Sequence, residues 1–312
     1  MTDITTLATQ VALDWGGLEA PLRLIKNREN AVFEAKLNDG ARAALRLHRQ
    51  GYQTPNAIKA ELTWMQALNE GGFSCPRPVP AEDGELVKFL PNGRAVSMVS
   101  WINAVPIGES GVPFEGTLKE QLKTYEDLGQ MIARLHVLTR TLDTKNLERP
   151  SWDLTGLLGD TPLWGRFWQN PSLTPDEGRL LQAARENAAQ QLFELNGLDI
   201  SLIHADLIQE NVLSSGGELH IIDFDDCGFG YELYDLGAAL IQHAENSNLD
   251  ALTQALCRGY GCSTDLMPLF IMLRSMASCG WIMSRAPHAD ARQRFYAERA
   301  LLCAHRYMST RV

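Results

Sequence analysis

Residues 202–240 read LIHADLIQENVLSSGGELHIIDFDDCGFGYELYDLGAAL. Ser201-Leu202-Ile203 is a short apolar run of strand type, and it delivers His204 and Asp206 into a loop. Asn211 follows on the same loop, and Val212-Leu213 and Leu219–Ile222 are two further strand-like runs. Between them Ser214-Ser215-Gly216-Gly217 supplies the residues that tight turns favour, and the resulting hairpin ends on Asp223. Folded back in this way, the segment is expected to bring Asp206, Asn211 and Asp223 to one end of a small sheet. Asp235 then opens a helical run with Leu236, Ala239 and Leu240, and as an N-cap its carboxylate would take free backbone N–H groups.

The chemistry of these three side chains is complementary. Asn211 and Asp223 offer hard oxygen ligands, which suit Mg2+ held jointly by protein and nucleotide phosphates. Asp206 stays free of the metal and can accept a hydrogen bond from an attacking hydroxyl. Positioning and charge neutralisation of this kind do most of the work of phosphoryl transfer.

Working outward, the preceding hundred residues read mainly as strands. Pro21–Ile25, Ala31–Leu37 and Ala41–His48 show apolar alternation, and Asn38-Asp39-Gly40 is a strong hairpin turn. Ala57–Asn69 places Ile58, Leu62, Met65 and Leu68 at helical spacing, and Gly71-Gly72 stops that helix. Glu85–Phe89 and Ala95–Trp101 form another strand pair around Pro91-Asn92-Gly93. Beyond Trp101 the chain turns helical, with Leu128, Met131, Ile132, Leu135 and Leu138 on one stripe. Helical periodicity returns over Asp176–Asn196 and from Asp235 onward, while 105–116 and 143–175 show no clear period. The expected organisation is an α+β chain with a sheet-rich lobe over 1–101 and a larger helical lobe over 102–312, and ligands are expected where the two meet.

HADLIQENVL followed by IIDFDDCGFGYELYDLG resembles the signature of the aminoglycoside phosphotransferase/choline kinase superfamily. Homoserine kinases of the second type and bacterial stress-response kinases belong to the same group. The resemblance implies a bilobal protein-kinase-like fold, with a small antiparallel-sheet lobe carrying one helix. It also implies that Asp206 is the catalytic-loop aspartate, that Asn211 is the metal ligand of that loop, and that Asp223 is the metal aspartate of a DFG-like motif. That motif here reads Asp223-Phe224-Asp225, with Asp where glycine is usual. His204 matches the histidine before the catalytic aspartate and is expected to pack and orient the loop, and Asp235 is expected to brace it.

The same resemblance assigns nucleotide contacts. Arg46 stands where the family's third strand carries a lysine, and its guanidinium can grip phosphate oxygens in a bidentate manner. Glu61 matches the glutamate that pairs with that basic residue. The loop Lys26–Asn30 should cover the phosphates; it holds no glycine, and Asn30 is its candidate contact. Ser100 and Ile102 match the residues whose backbone binds adenine, with Met98 and Trp101 either on the purine or in the core.

Composition narrows the partners. The 312 residues carry 38 acids against 28 bases, a formal charge of −10, which argues against non-specific binding to nucleic acid. The most apolar stretch, Leu266–Met283, is broken by Pro268, Arg274 and Gly280 and reads as a buried helix, so no membrane span is expected. MTDITTLATQ has no basic region ahead of an apolar one, so no secretory signal is expected. Six scattered cysteines without a CxxC pair suit a reduced cytoplasmic protein.

The expected cofactors are ATP and Mg2+, and the expected partner is a small-molecule acceptor. Asp225 and Asp226 either attract a cationic amino alcohol or amino sugar, or make turn hydrogen bonds and arginine pairs. Trp152, Trp164, Trp168 and Trp281 either line the acceptor site or fill the core. Two other functions share the same residues: a stress-type Ser/Thr protein kinase, and a module that holds nucleotide without turnover.

Overall fold

Asn38-Asp39-Gly40 makes the turn its residues favour, with Gly40 in the left-handed region at φ 84°. It belongs to the first of two compact units into which the chain divides in a computed structural model that describes residues 4–27, 30–195 and 197–310. The first unit is Met1–Val105 with Leu142–Arg149 and His220–Asp225; the second is Pro106–Thr141, Pro150–Leu219 and Asp226–Val312. The division is thus not a single cut after Trp101, because two later segments return to the first unit.

The first unit opens with a helix, α1 (Ile4–Val11), which the sequence reading did not anticipate. Five antiparallel strands follow: β1 (Arg23–Asn27), β2 (Ala31–Lys36), β3 (Arg42–Leu47), β4 (Val87–Phe89) and β5 (Ala95–Ser100), in the order β1-β2-β3-β5-β4. Phe33, Leu45, Leu47, Val96 and Met98 are buried in one cluster with Ala8, Val11 and Trp15 from the N-terminal segment. Each of the Phe, Leu, Val and Met side chains among them contributes roughly 1.5–3 kcal/mol on leaving water. Met98 is therefore a core residue, with no exposure to offer a purine. The helix α2 (Pro55–Glu70) starts at Thr54, whose hydroxyl accepts from the Ala57 N–H (3.0 Å), with proline in the first turn. Its buried stripe runs through Ile58, Leu62, Met65 and Leu68, and it carries Glu61 inward among them.

In the second unit β6 (Val105–Pro106) leads to α3 (Leu118–Thr141), β7 (Ser151–Trp152), α4 (Leu154–Leu158) and α5 (Pro175–Glu194). The anticipated end of α5 at Asn196 lies outside the described residues. Next come β8 (Ile200–Ile203), β9 (Val212–Ser215), β10 (Glu218–Ile221), whose last two residues are counted with the first unit, and β11 (Gly228–Tyr231). The helices α6 (Leu233–Leu240), α7 (Leu249–Tyr260), α8 (Met267–Trp281) and α9 (Ala291–Ser309) complete it. The backbones of α3 and α7 touch, since a Cβ on Gly259 would lie 1.9 Å from the Glu126 carbonyl. The helices α6 and α8 also cross closely, since a Cβ on Gly237 would lie 2.4 Å from the Phe270 carbonyl oxygen. Among the described residues no helix is long and apolar enough to cross a membrane.

Candidate active site

In the first unit, β3 alternates so that Leu45 and Leu47 enter the core while Arg46 points to the opposite face. There its guanidinium donates to Glu61 Oε1 at 2.5 Å, with both side chains almost fully buried. His48 follows on the same face, sharing a hydrogen bond between its Nε2 and Ser97 Oγ at 2.8 Å. Its Nδ1 lies 4.0 Å from Asp225 Oδ1. Burial, then the neighbouring arginines, pushes the His48 imidazole well below its ordinary range, so it is neutral. Burial, then repulsion from Glu61, raises the Asp225 carboxyl to about 7, against the pull of Arg46. Arg46 remains firmly protonated: burial opposes its charge, and Glu61, Asp225 and Asp223 more than offset that.

Asp223 is exposed and stands at φ 64°, an uncommon backbone state for a residue with a side chain. Its carboxylate makes no hydrogen bond to another described residue. Of the two readings open for Asp225, the buried environment favours arginine partners over an acceptor contact. Asp225 is 5% exposed, and its carbonyl accepts from Arg149 (2.5 Å) and Gln53 (3.1 Å). Both it and Asp223 belong to the first unit, whereas Asp226 belongs to the second, where its carbonyl accepts from Trp152 Nε1 at 2.9 Å.

The remaining nucleotide candidates also lie in this unit. Ser100 is tied to Arg77 twice: its N–H donates to the Arg77 carbonyl (2.7 Å) and its hydroxyl accepts from the Arg77 N–H (2.8 Å). Of the Ser100 backbone, the N–H is thus taken and the carbonyl is left for a base. Ile102 is half-buried, and no described residue takes its backbone N–H. Asn30 accepts from the Arg49 N–H at 3.0 Å, which fastens the end of the β1–β2 loop beside β3. Arg28 and Glu29 of that loop lie outside the described residues.

In the second unit, β8 ends on His204-Ala205-Asp206, and Ala205 takes φ 67°. Asp235 holds that turn. Rather than capping its own helix, it lies in the first turn of α6 and accepts from the backbone N–H groups of His204 (3.0 Å) and Ala205 (2.6 Å). His136 on α3 lies 3.0 Å from the same carboxylate through Nε2. Asn211 Nδ2 donates to the Asp206 carbonyl (2.9 Å) and to its carboxylate Oδ2 (3.0 Å). The amide oxygen of Asn211 is thereby left without a donor among the described residues. The second carboxylate oxygen of Asp206 accepts from Arg274 on α8 at 2.5 Å.

The structure thus gathers two groups, Arg46 with Glu61, Asp225 and Asp223 in one unit and Asp206 with Asn211 in the other. Sequence reasoning missed Arg274 and His48. A lone charge inside the apolar run Leu266–Met283 was the available signal for Arg274. Trp152 stacks on Tyr234 (5.5 Å) and meets Trp164 edge-on (4.9 Å), Trp164 packs against Trp281 (6.4 Å), and Trp168 sits edge-on to Phe167 (4.9 Å). Among the described residues no group of three or more His, Cys, Asp or Glu is arranged to bind a metal ion.

A model of the phosphotransferase enzyme family matches residues 22–270. A microcompartment-associated aminopropanol kinase superposes with a TM-score of 0.82 at 30% identity, over 97% of each chain. An amicoumacin kinase in complex with AMP-PNP and Ca2+ superposes with a TM-score of 0.75 at 20% identity, over 96% of this chain and 93% of that one. The amicoumacin kinase of Bacillus subtilis (strain 168) is 23% identical over 74% of this chain and 66% of its own length, so the match spans just under two thirds of that relative. The α+β, protein-kinase-like fold expected from the sequence is the fold that these solved structures share with the chain.

Proposed function

The chain belongs to the phosphotransferase enzyme family, and from that premise we propose that it is an ATP- and Mg2+-dependent kinase of a small-molecule alcohol. The observation that carries the reading is the Asp206–Asn211 pair. The Asn211 amide nitrogen holds the aspartate, leaving the amide oxygen for a cation and the aspartate for a hydroxyl.

The residues fit the metal. Asn211 and Asp223 each bring a hard oxygen with no donor on it among the described residues, and Mg2+ commonly takes one or two protein oxygens with the rest from phosphate and water. Charge supports the same point. Arg46 is already balanced by Glu61, with Asp223 and Asp225 adding negative charge, so a polyphosphate would be accepted together with a cation. Bound Mg2+ would neutralise charge on the transferring phosphoryl group.

The chain's own side chains supply the rest. Arg46, anchored by Glu61, donates to phosphate oxygens. The Ser100 carbonyl and the Ile102 N–H face the base, and Asn30 stays tied to the Arg49 N–H beside β3. Asp206 accepts the hydrogen bond of the acceptor hydroxyl and takes its proton as the oxygen bonds to the γ-phosphorus, while the bond to the β-phosphate breaks and ADP leaves. Among alcohols we favour a cationic amino alcohol. Likeness to an aminopropanol kinase, Asp226, and the net charge of −10 support that choice. The six cysteines, all free thiols, suit a cytoplasmic setting.

Thermal melting with AMP-PNP and Mg2+ tests the nucleotide half. At a ligand concentration of about 100 Kd the wild type should gain about 2.7 kcal/mol, and Asp223→Ala should lose most of that gain. Equal shifts in both proteins would remove Asp223 from metal binding. Asp206→Ala should keep the shift and lose turnover.

A further inference from the structure

Arg274 is a buried cation in a helix that otherwise serves the core. Its neighbours Phe270, Ile271, Met272, Leu273 and Met276 are all buried, and it is itself 5% exposed. Three contacts fix its guanidinium. One terminal nitrogen donates to Asp206 Oδ1 at 2.5 Å, the other donates to Ser278 one turn along α8, and the Cζ atom stands 4.9 Å from the Trp164 ring centre. A buried ion pair is weak evidence for stability, because well-packed apolar residues of similar volume often do as well or better. An arginine in such a helix therefore calls for another role.

The Asp206 carboxylate shows what that role is. Arg274 holds Oδ1 while Asn211 holds Oδ2 at 3.0 Å, so the group is gripped at both oxygens and cannot rotate about its χ2 axis without breaking a bond. We infer that Arg274 is a positioning residue for phosphoryl transfer: it fixes the plane of the Asp206 carboxylate, so that the remaining lone pairs address the acceptor hydroxyl in one orientation. Ser278 and Trp164 in turn fix the plane of the guanidinium. The inference rests on the reading of Asp206 as the residue that meets the acceptor.

The experiment compares Asp206→Asn, Arg274→Met, Arg274→Lys and Ser278→Ala in steady-state kinetics, with AMP-PNP melting shifts as the check on folding. Asp206→Asn should be inactive; if it turns over like wild type, the reading of Asp206 itself fails. With that variant inactive, Arg274→Met should lower kcat about a hundredfold, leave KM for ATP within about twofold, and keep the nucleotide shift. Methylguanidinium at non-denaturing concentration should restore part of the Arg274→Met loss, and Arg274→Lys should recover about tenfold. An Arg274→Met enzyme with kcat within about threefold of wild type, beside an inactive Asp206→Asn, overturns the inference. Should Arg274→Met fail to fold, Ser278→Ala decides, because it leaves the arginine in place and frees one of its nitrogens. A severalfold fall in kcat at unchanged KM for ATP supports the role, and an unchanged kcat overturns it.

Discussion

Removing the Asp235 carboxylate should release the loop that carries Asp206. In the wild type that carboxylate accepts from two backbone N–H groups, at 3.0 and 2.6 Å, and contacts His136 at 3.0 Å, with no exposure to solvent. Asp235→Ala leaves two buried amides and an imidazole nitrogen unsatisfied. Losing one partner of such a buried network costs about 4 kcal/mol. For a chain of this size that is a fall in Tm of about 6 °C. The loop also contains Ala205 at φ 67°, a state that costs an L-residue about 1–2 kcal/mol and that the two amide bonds sustain. Without them the loop relaxes, Asp206 moves, and turnover should drop about a hundredfold. Calorimetry and acceptor-dependent ADP release measure the two effects. Adding Ala205→Gly to Asp235→Ala removes the strain and should return about tenfold of the lost turnover. An Asp235→Ala protein that melts within about 1 °C of wild type and turns over normally would refute the reasoning.

Glu61→Ala strands a buried arginine and should cost about 4 kcal/mol, lowering both Tm and the nucleotide-induced shift; wild-type melting would contradict the pairing of Arg46. Burial pushes His243 down to about 4, below its ordinary value near 6.5, so the folded chain holds it neutral while the unfolded chain is protonated first. Its contribution is complete above about pH 6.5 and is lost as pH falls toward 4, a change of about 3 kcal/mol. Urea midpoints across that window should fall less steeply for His243→Gln than for wild type, with buried His48 supplying the slope that remains. Glu177 is held down to about 2 by its hydrogen bonds to Arg294, so it contributes stability above about pH 4.5 that is lost as pH falls toward 2. Discounted for solvent screening, that is about 1 kcal/mol. Glu177→Gln should lower Tm by about 2 °C at neutral pH, and an equal gap at about pH 3 would contradict the ion pair.

Local chemistry explains what the sequence disclosed. Asn38-Asp39-Gly40 and the stripe Ile58, Leu62, Met65 and Leu68 are readable because turn and helix preferences act over a few residues. The Asp206–Asn211 pair is readable for the same reason, since both side chains sit on one short loop. Arg274 is different. It lies 68 positions beyond Asp206, and only the crossing of α6 and α8 at Gly237 brings its helix to the loop. Asp235 reads locally as an N-cap because caps and first-turn acids share residue types, the resemblance implies that it braces the loop, and the tertiary structure supplies the two N–H groups, of His204 and Ala205, that it reaches. For Asp225 the sequence leaves an acceptor contact and an arginine partner equally open, and it is the return of 220–225 to the first unit that buries it near Arg46 and His48. The segment 143–175 resisted reading because its elements, Ser151–Trp152 and Leu154–Leu158, are shorter than one period of either pattern can establish.

Phosphoryl transfer itself is tested most directly by incubating the protein with ATP, Mg2+ and a panel of amino alcohols, aminoglycosides, homoserine, sugars and protein substrates. Phosphoester formation would be followed by 31P NMR, for wild type beside Asp206→Ala. The account predicts a new phosphomonoester on one class of small alcohol, formed with stoichiometric ADP, abolished by EDTA and absent with Asp206→Ala. Phosphate appearing only on protein, or product forming equally well without the Asp206 carboxylate, would contradict it.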